Sequence, residues 1–136
     1  MSTISATYAG NLRVESVHNQ SGSKLVTDAP TDNHGKGEAF SPTDLCAAAL
    51  GACAMTIIGL YAEKHNVDVT GAQMEITKTM SADPRRIGKL EVIFNMPDRP
   101  YTEQQKASIE RAARTCPVHL SLHPDMEQVF IFNWKQ

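Results

Sequence analysis

Three cysteines are the residues of this chain with the most distinctive chemistry. Cys46 and Cys53 lie in one apolar segment, and Cys116 comes directly before a proline. An odd number of thiols in a chain without a secretory signal indicates free, catalytic or metal-binding cysteines rather than a disulfide framework. Any chemistry of this chain is therefore expected to centre on Cys53 and Cys116.

The role of Cys53 has two interpretations. In the middle of an apolar helix, a cysteine is usually a small core residue, and burial raises the pKa of its thiol. A nucleophilic role instead requires a cation that stabilises the thiolate. Spacing in the sequence does not choose among the cations that folding could bring to Cys53, which are Arg13, Lys36, Arg85 and Arg86.

The other two cysteines differ in position. Cys46 precedes Cys53 by seven residues. On a helix this separation is about 10 Å, too far for a disulfide between them. Cys116 is predicted to end a helix, where the dipole disfavours a thiolate. This makes Cys116 a poorer attacking group and a candidate resolving partner, although by itself it too is more often a structural residue.

A zinc site is a competing hypothesis for the segment CPVHLSLH. Cys116, His119 and His123 are spaced closely enough to offer up to three ligands, but a matching second ligand pair is absent. The segment GKGEAF is too short and misplaced for a phosphate-binding loop, and neither GxSxG nor HExxH occurs. Nucleotide-dependent and hydrolytic chemistry are therefore not indicated.

A long helix is predicted to carry Cys46 and Cys53. Ser41 can cap its first amides, Pro42 suits the first helical position, and Asp44 completes a capping-box pattern. The helix should run to about His65. Its segment LCAAALGACAMTIIGLYA has no charged side chain and is close to the length that spans a bilayer. Its many small residues favour a buried helix of a soluble domain over a membrane span.

Strands are predicted on both sides of this helix. Alternating apolar residues indicate strands within residues 4–14, around residues 24–27, from Val67 onward, at Leu90, Val92 and Phe94, and in VFIFNW. A second helix is predicted from the Thr102 cap to Cys116. The order is three strands, helix, two strands, helix, strand. This order predicts an α+β fold, and 136 residues suit a single domain over the whole chain.

The long helix also predicts a homodimer. A helix that is apolar on every face must be covered on every face, and a chain of this size can hardly supply that cover alone. Small residues would let the helix of a second copy approach closely. These residues are Ala47, Ala48, Gly51, Ala52 and Gly59.

Charge and the N-terminal sequence limit the expected partners. The net charge of −2 provides no broad positive field, so a nucleic-acid partner is not expected. The sequence MSTISATYAG lacks the basic and apolar regions of a secretory signal, which predicts a cytoplasmic location.

Two cysteine segments resemble those of a known family. FSPTDLCAAALGAC is similar to the helix start and cysteine helix of osmotically induced protein C and the organic hydroperoxide resistance proteins, the OsmC/Ohr family, and CPVHLSL resembles the family's second-cysteine segment. The resemblance covers nearly the whole chain, including the hairpin DPRRIGKLEV. It implies a single OsmC-like domain that forms an intertwined homodimer with the long helices at its centre.

The resemblance also implies an activity. Cys53 matches the peroxidatic cysteine, which attacks an organic hydroperoxide and becomes a sulfenic acid, and Cys116 matches the resolving cysteine, which condenses it to a disulfide. A dithiol such as a lipoyl group would regenerate the enzyme, without a metal or organic cofactor. The alternative is a non-enzymatic dimer of the same fold that binds an apolar small molecule and whose thiols are packing residues.

The chain departs from the family pattern near the helix start. The family usually has Glu directly after the helix-start proline, where this chain has Thr43, and the nearby carboxylates are Asp44 and Glu38. The family's catalytic arginine has no matching residue in this chain: Arg13 lies near the position of the family pattern without matching it, and the loop before Ser41 offers Lys36 instead. The residues that would activate the thiolate are therefore altered.

Overall fold

The chain folds into two three-stranded sheets and three α-helices, which confirms the predicted α+β fold. The structure is a computed structural model and describes residues 1–135. In chain order, the elements are β1 (Ile4–Gly10), β2 (Arg13–His18), β3 (Lys24–Thr27), α1 (Pro42–Lys64), β4 (Gln73–Ser81), β5 (Arg86–Asn95), α2 (Glu103–Ala113), α3 (Pro117–Ser121) and β6 (Glu127–Asn133).

The contacts within the chain define two compact units, one formed by residues 1–46 and the other beginning at Ala47. In the first unit, β1, β2 and β3 form an antiparallel sheet in that order. The turn between β1 and β2 falls at Asn11 and Leu12, whose φ angles are 55° and 64°. The single domain over residues 1–136 stays a prediction.

The second unit contains a mixed sheet in the order β4, β5, β6. Strand β5 is antiparallel to β4 and parallel to β6. Parallel neighbours require a crossover connection, and the segment with α2 and α3 provides it. Leu90, Val92 and Phe94, at alternate positions of β5, are fully buried, and the ring of Phe94 stacks on Phe132 of β6. The core of the unit therefore lies against the middle strand.

Helix α1 begins and ends where local sequence signals predict. The amide of Ser41 donates to Oδ2 of Asp44 at 3.1 Å, and the amide of Asp44 donates to Oγ of Ser41 at 3.1 Å. This reciprocal pair satisfies two amides at the helix start. The helix ends at Lys64, and Asn66 just beyond it has a left-handed φ of 54°. The predicted end near His65 is one residue later.

Only one face of α1 is buried within the chain. The buried residues recur at helical spacing, and they are Ala47, Leu50, Gly51, Ala54, Ile58 and Ala62. On the remaining surface Leu60 keeps 57% of its area exposed. By length and a mean hydropathy of 2.0 this helix could cross a membrane, although the core helix of a globular protein passes the same test. The single chain therefore leaves an apolar helix face uncovered.

The strand predicted from Val67 begins later, at Gln73. In the segment before it, Oδ1 of Asp68 accepts the amide of Thr70 at 2.9 Å, and Gly71 has a φ of +93°. The hydroxyl of Tyr101 donates to the carbonyl oxygen of Asp68 at 2.6 Å. These local bonds replace the ladder bonds of a strand, so the apolar alternation at Val67 and Val69 belongs to a loop.

The second predicted helix is divided into two. Helix α2 begins after the Thr102 cap as predicted, with the capping box completed by Gln105. It ends at Ala113, three residues before Cys116, and Pro117 is the first residue of the separate helix α3. Pro117 lacks an amide hydrogen, so a continuous helix would lose a bond there, whereas the first turn of a new helix loses none.

Candidate active site

Cys53 and Cys116 are neighbours in the second unit. Cys53 lies in the middle of α1 and is half-buried. Cys116 lies in the short segment that connects α2 to α3 and is fully buried. Their thiols are close enough for Cys53 to raise the pKa of Cys116. Folding thus brings a partly accessible thiol close to a buried one.

The surroundings of Cys116 differ from those predicted. Cys116 is not the last residue of a helix but the N-cap of α3, and its Sγ accepts the backbone amide of His119 at 3.3 Å. A prediction based on the C-terminal dipole of one long helix was therefore wrong, because the helix has already ended at Ala113. The sulfur faces amide donors instead of helix carbonyls.

Burial is the main cause that raises the pKa of the Cys116 thiol above its ordinary value. The His119 amide lowers this pKa, and the nearby Cys53 thiol raises it further. Cys116 is therefore expected to stay a thiol at neutral pH.

His119 is held by Gln128 of β6. Nδ1 of His119 lies 2.7 Å from Oε1 of Gln128, and Nε2 of Gln128 donates to the carbonyl oxygen of His119 at 3.1 Å. Nδ1 of His123 instead accepts the amide of Asp125 at 3.0 Å. Among residues 1–135, no three His, Cys, Asp or Glu side chains are grouped to hold a metal ion. The spacing in CPVHLSLH therefore does not produce the zinc site considered above.

In the first unit, Arg13 lies in a cluster of charges that sequence reasoning missed. Its guanidinium group donates to Oε1 of Glu38 and lies 3.6 Å from Oδ2 of Asp28. Asp28 is 1% exposed, and the Glu38 amide, followed by Ala29 and Arg13, holds the pKa of its carboxyl below the usual range, against the effect of burial. No sequence signal could have found this contact, because Arg13 and Glu38 are far apart in the chain.

The other cations considered as activators are all exposed. Lys36 is exposed in the loop before α1, Arg85 is exposed in the turn between β4 and β5, and Arg86 is exposed at the start of β5. Thr43, which stands where the family has Glu, is in the first turn of α1 with its Oγ1 3.2 Å from Oγ of Ser41. Cys46 is half-buried on α1 as a free thiol.

The chain matches a protein-family profile over residues 35–128, and the profile is described as OsmC-like protein. This region contains both Cys53 and Cys116. A search of curated proteins finds no match to the chain.

Solved structures extend the match to almost the whole chain. A protein of Psychrobacter arcticus 273-4, named provisionally as an osmotic stress induced and detoxification response protein, is 43% identical, with 98% of this chain and 96% of that chain covered and a TM-score of 0.93. An organic hydroperoxide resistance protein OsmC of Legionella pneumophila is 17% identical, with 96% and 94% covered and a TM-score of 0.76. The organic hydroperoxide resistance protein OhrB of Bacillus subtilis is 15% identical, with 98% of each chain covered and a TM-score of 0.69.

Proposed function

The chain belongs to the OsmC-like family, and on that premise we propose that it is a thiol peroxidase that reduces organic hydroperoxides. Cys53 is the peroxidatic residue and Cys116 the resolving residue. The observation that carries the proposal is the proximity of the half-buried thiol of Cys53 to the buried thiol of Cys116. The names of the Legionella and Bacillus proteins, which share this fold, support an organic hydroperoxide as the substrate.

The reaction requires only these two sulfur atoms and an external dithiol. The Cys53 thiolate attacks the terminal oxygen of the hydroperoxide, the O–O bond breaks, and the alkoxide takes up a proton and leaves as an alcohol. The sulfenic acid on Cys53 is then attacked by Cys116, and water leaves as the disulfide forms. A dithiol reductant, of which a lipoyl group is one example, returns two electrons and restores both thiols.

Accessibility explains why the two roles are assigned in this order. A hydroperoxide must reach the attacking sulfur, and Cys53 is half-buried whereas Cys116 has no exposed surface. Burial also raises the pKa of the Cys116 thiol, which leaves it a poor first nucleophile at neutral pH. A resolving thiol needs less access to solvent, because the sulfenic acid that it attacks is formed on the neighbouring Cys53.

The proposal includes a homodimer in the cytoplasm. The uncovered face of α1, with Leu60 57% exposed, supports a second copy as the missing cover. In the first unit β1 is exposed along nearly its whole length, including the large apolar side chains of Ile4 and Tyr8. A pair of chains would bury apolar surface that one chain leaves in water.

Mass spectrometry after a single oxidising turnover tests the activity. Reduced protein is treated with one equivalent of cumene hydroperoxide, free thiols are labelled, and the labelled sites are mapped. We expect loss of the Cys53 and Cys116 thiols, a mapped bond between them, and full labelling of Cys46. Cys53→Ser should consume no peroxide, and Cys116→Ser should allow one turnover followed by over-oxidation of Cys53.

Cys46→Ser is the matched control, because it removes a thiol from the same helix. It should form the same disulfide at the wild-type rate. Unchanged labelling of wild-type protein after peroxide would reject the peroxidase and favour the alternative, a dimer that binds an apolar small molecule and uses its thiols only in packing. Equal peroxide consumption by Cys53→Ser would also reject the assignment.

A further inference from the structure

The sulfur of Cys116 has few polar contacts. Its side chain has no exposed surface, so no bulk water reaches it. The backbone amide of His119 donates to Sγ at 3.3 Å, and the amide of Val118 also lowers the pKa of this thiol. Any negative charge that develops on this sulfur is therefore stabilised chiefly by these amides, because a buried anion needs hydrogen-bond donors.

Gln128 determines where the His119 amide lies. Its carboxamide makes two bonds to the same residue: Nε2 donates to the carbonyl oxygen of His119 at 3.1 Å, and Oε1 lies 2.7 Å from Nδ1 of the His119 ring. The carbonyl can only accept, so the NH₂ group of Gln128 must face it and Oε1 must face Nδ1. Nδ1 of His119 therefore carries a hydrogen.

This pair of bonds connects α3 to the sheet. Gln128 lies on β6 and is paired in register with Leu90 of β5, and the ring of His119 packs against Phe130 with ring centres 5.4 Å apart. Helix α3 has only five residues, too few to be stable without tertiary contacts. The position of its first-turn amides thus depends on Gln128.

We propose that Gln128 is a positioning residue that sets the redox equilibrium of the Cys53–Cys116 pair by holding the His119 amide against Sγ of Cys116. The proposal rests on the proposed function. In the reductive step, a thiolate of the dithiol reductant attacks Sγ of Cys53, and the Cys53–Cys116 bond breaks. The electron pair goes to Sγ of Cys116, which leaves as a thiolate and then takes up a proton. The second thiol of the reductant displaces Cys53 and forms the oxidised, cyclic disulfide.

An N–H bond to the departing Cys116 thiolate favours this step in two ways. It lowers the energy of the leaving group, so that reduction is faster. The same amide donates to the Cys116 thiol at 3.3 Å in the reduced protein, which stabilises the reduced state relative to the disulfide. The attack of Cys53 on a peroxide does not involve Sγ of Cys116 as a leaving group. A change at Gln128 should therefore slow the reductive half of the cycle and leave the attack of Cys53 on the peroxide unchanged.

The test compares Gln128→Met, which keeps an unbranched side chain but removes both bonds, with wild-type protein. The fraction of disulfide is measured by thiol labelling in mixtures of lipoamide and dihydrolipoamide. We expect the equilibrium constant for reduction to fall about five- to tenfold, which is roughly 20 to 30 mV because tenfold corresponds to about 30 mV for two electrons. The rate of reduction should fall similarly, and the rate of peroxide attack should stay within about twofold.

Asn133→Leu is the matched control, because Asn133 also lies on β6 and its Nδ2 donates to Oδ1 of Asn95 at 2.9 Å, away from α3. It should change neither half of the cycle. An equilibrium constant in Gln128→Met equal to that of wild type would overturn the proposal. If Gln128→Met does not fold, Gln128→Glu serves the same test, because it loses the donor to the His119 carbonyl and should also stabilise the disulfide.

The two proposals can fail separately. The disulfide can be formed with oxidised lipoamide without any peroxide, so the equilibrium is measurable whether or not the protein is a peroxidase. Absence of peroxide consumption by wild-type protein would reject the proposed function. An unchanged equilibrium in the Gln128 variants would reject the positioning role.

Discussion

Cys116 is the residue whose chemistry depends most on where it is buried. Burial and the adjacent Cys53 both raise the pKa of its thiol, and the His119 amide only partly offsets them. The thiol form therefore predominates at neutral pH, and the thiolate that attacks a sulfenic acid is a minor species. Because the pKa of Cys116 is raised in the folded protein, the folded reduced protein loses stability relative to the unfolded chain as the pH rises through that raised pKa.

We expect the formation of the disulfide to accelerate as the pH rises. In a single turnover with cumene hydroperoxide, the step from sulfenic acid to disulfide should increase up to about tenfold per pH unit from about pH 6 to about pH 8, because the thiolate fraction of Cys116 increases in that proportion below its pKa. Rapid quenching with a sulfenic-acid probe measures the step. Cys46→Ser should give the same profile, and a step that does not change with pH would contradict the raised pKa.

Gly51 shows how the helix and the sheet of the second unit fit together. A Cβ atom at this position would lie 2.5 Å from Cδ1 of Ile76 and 3.3 Å from Sδ of Met74, both on β4. Gly51 is therefore required for close packing of α1 within its own chain. Gly51 thus packs against β4 of its own chain, and its place in a dimer contact stays a prediction.

Gly51→Ala should destabilise the protein despite the better helix propensity of alanine. Alanine gains about 1 kcal/mol in helix propensity, whereas overpacking typically costs about 1 to 3 kcal/mol. We expect a net loss of about 1 kcal/mol in the free energy of unfolding, measured with urea. Ile76→Val removes the Cδ1 atom, so adding it to Gly51→Ala should recover stability. Two effects that simply add would contradict this packing.

At the scale of the whole molecule, the single chain leaves apolar surface of α1 exposed to water. The small residues Ala52 and Gly59 remain at the surface or half-buried on α1, and Leu60 is largely exposed. A second copy of the helix would cover this stripe by close approach. This is the physical reason for the proposed homodimer.

Leu60→Asp should weaken the dimer, because it places a charge in the proposed apolar contact. Light scattering after size exclusion should give about twice the chain mass of 14.9 kDa for wild type and a lower value for the variant. Ala107→Asp, on the exposed side of α2, is the control and should stay dimeric. If Leu60→Asp does not fold, the wild-type melting temperature should still rise with protein concentration. A wild-type mass equal to one chain would reject the dimer.

The sequence by itself determined the features that arise from local bonds and periodicity. The start of α1 follows from the reciprocal bonds of Ser41 and Asp44, only three residues apart. The alternation of Leu90, Val92 and Phe94 predicted β5, because side chains of a strand point alternately to the two faces. These signals, together with two cysteine segments, were sufficient to predict the α+β fold and the family.

Only the tertiary structure decided what surrounds each thiol. The proximity of Cys53 to Cys116 joins distant parts of the chain, and the bonds from Gln128 to His119 exist because β6 returns beside β5. The sequence pattern also placed Cys116 at a helix end, whereas it caps the next helix. The physical reason is that burial and hydrogen bonds between distant residues follow from packing, which local spacing does not encode.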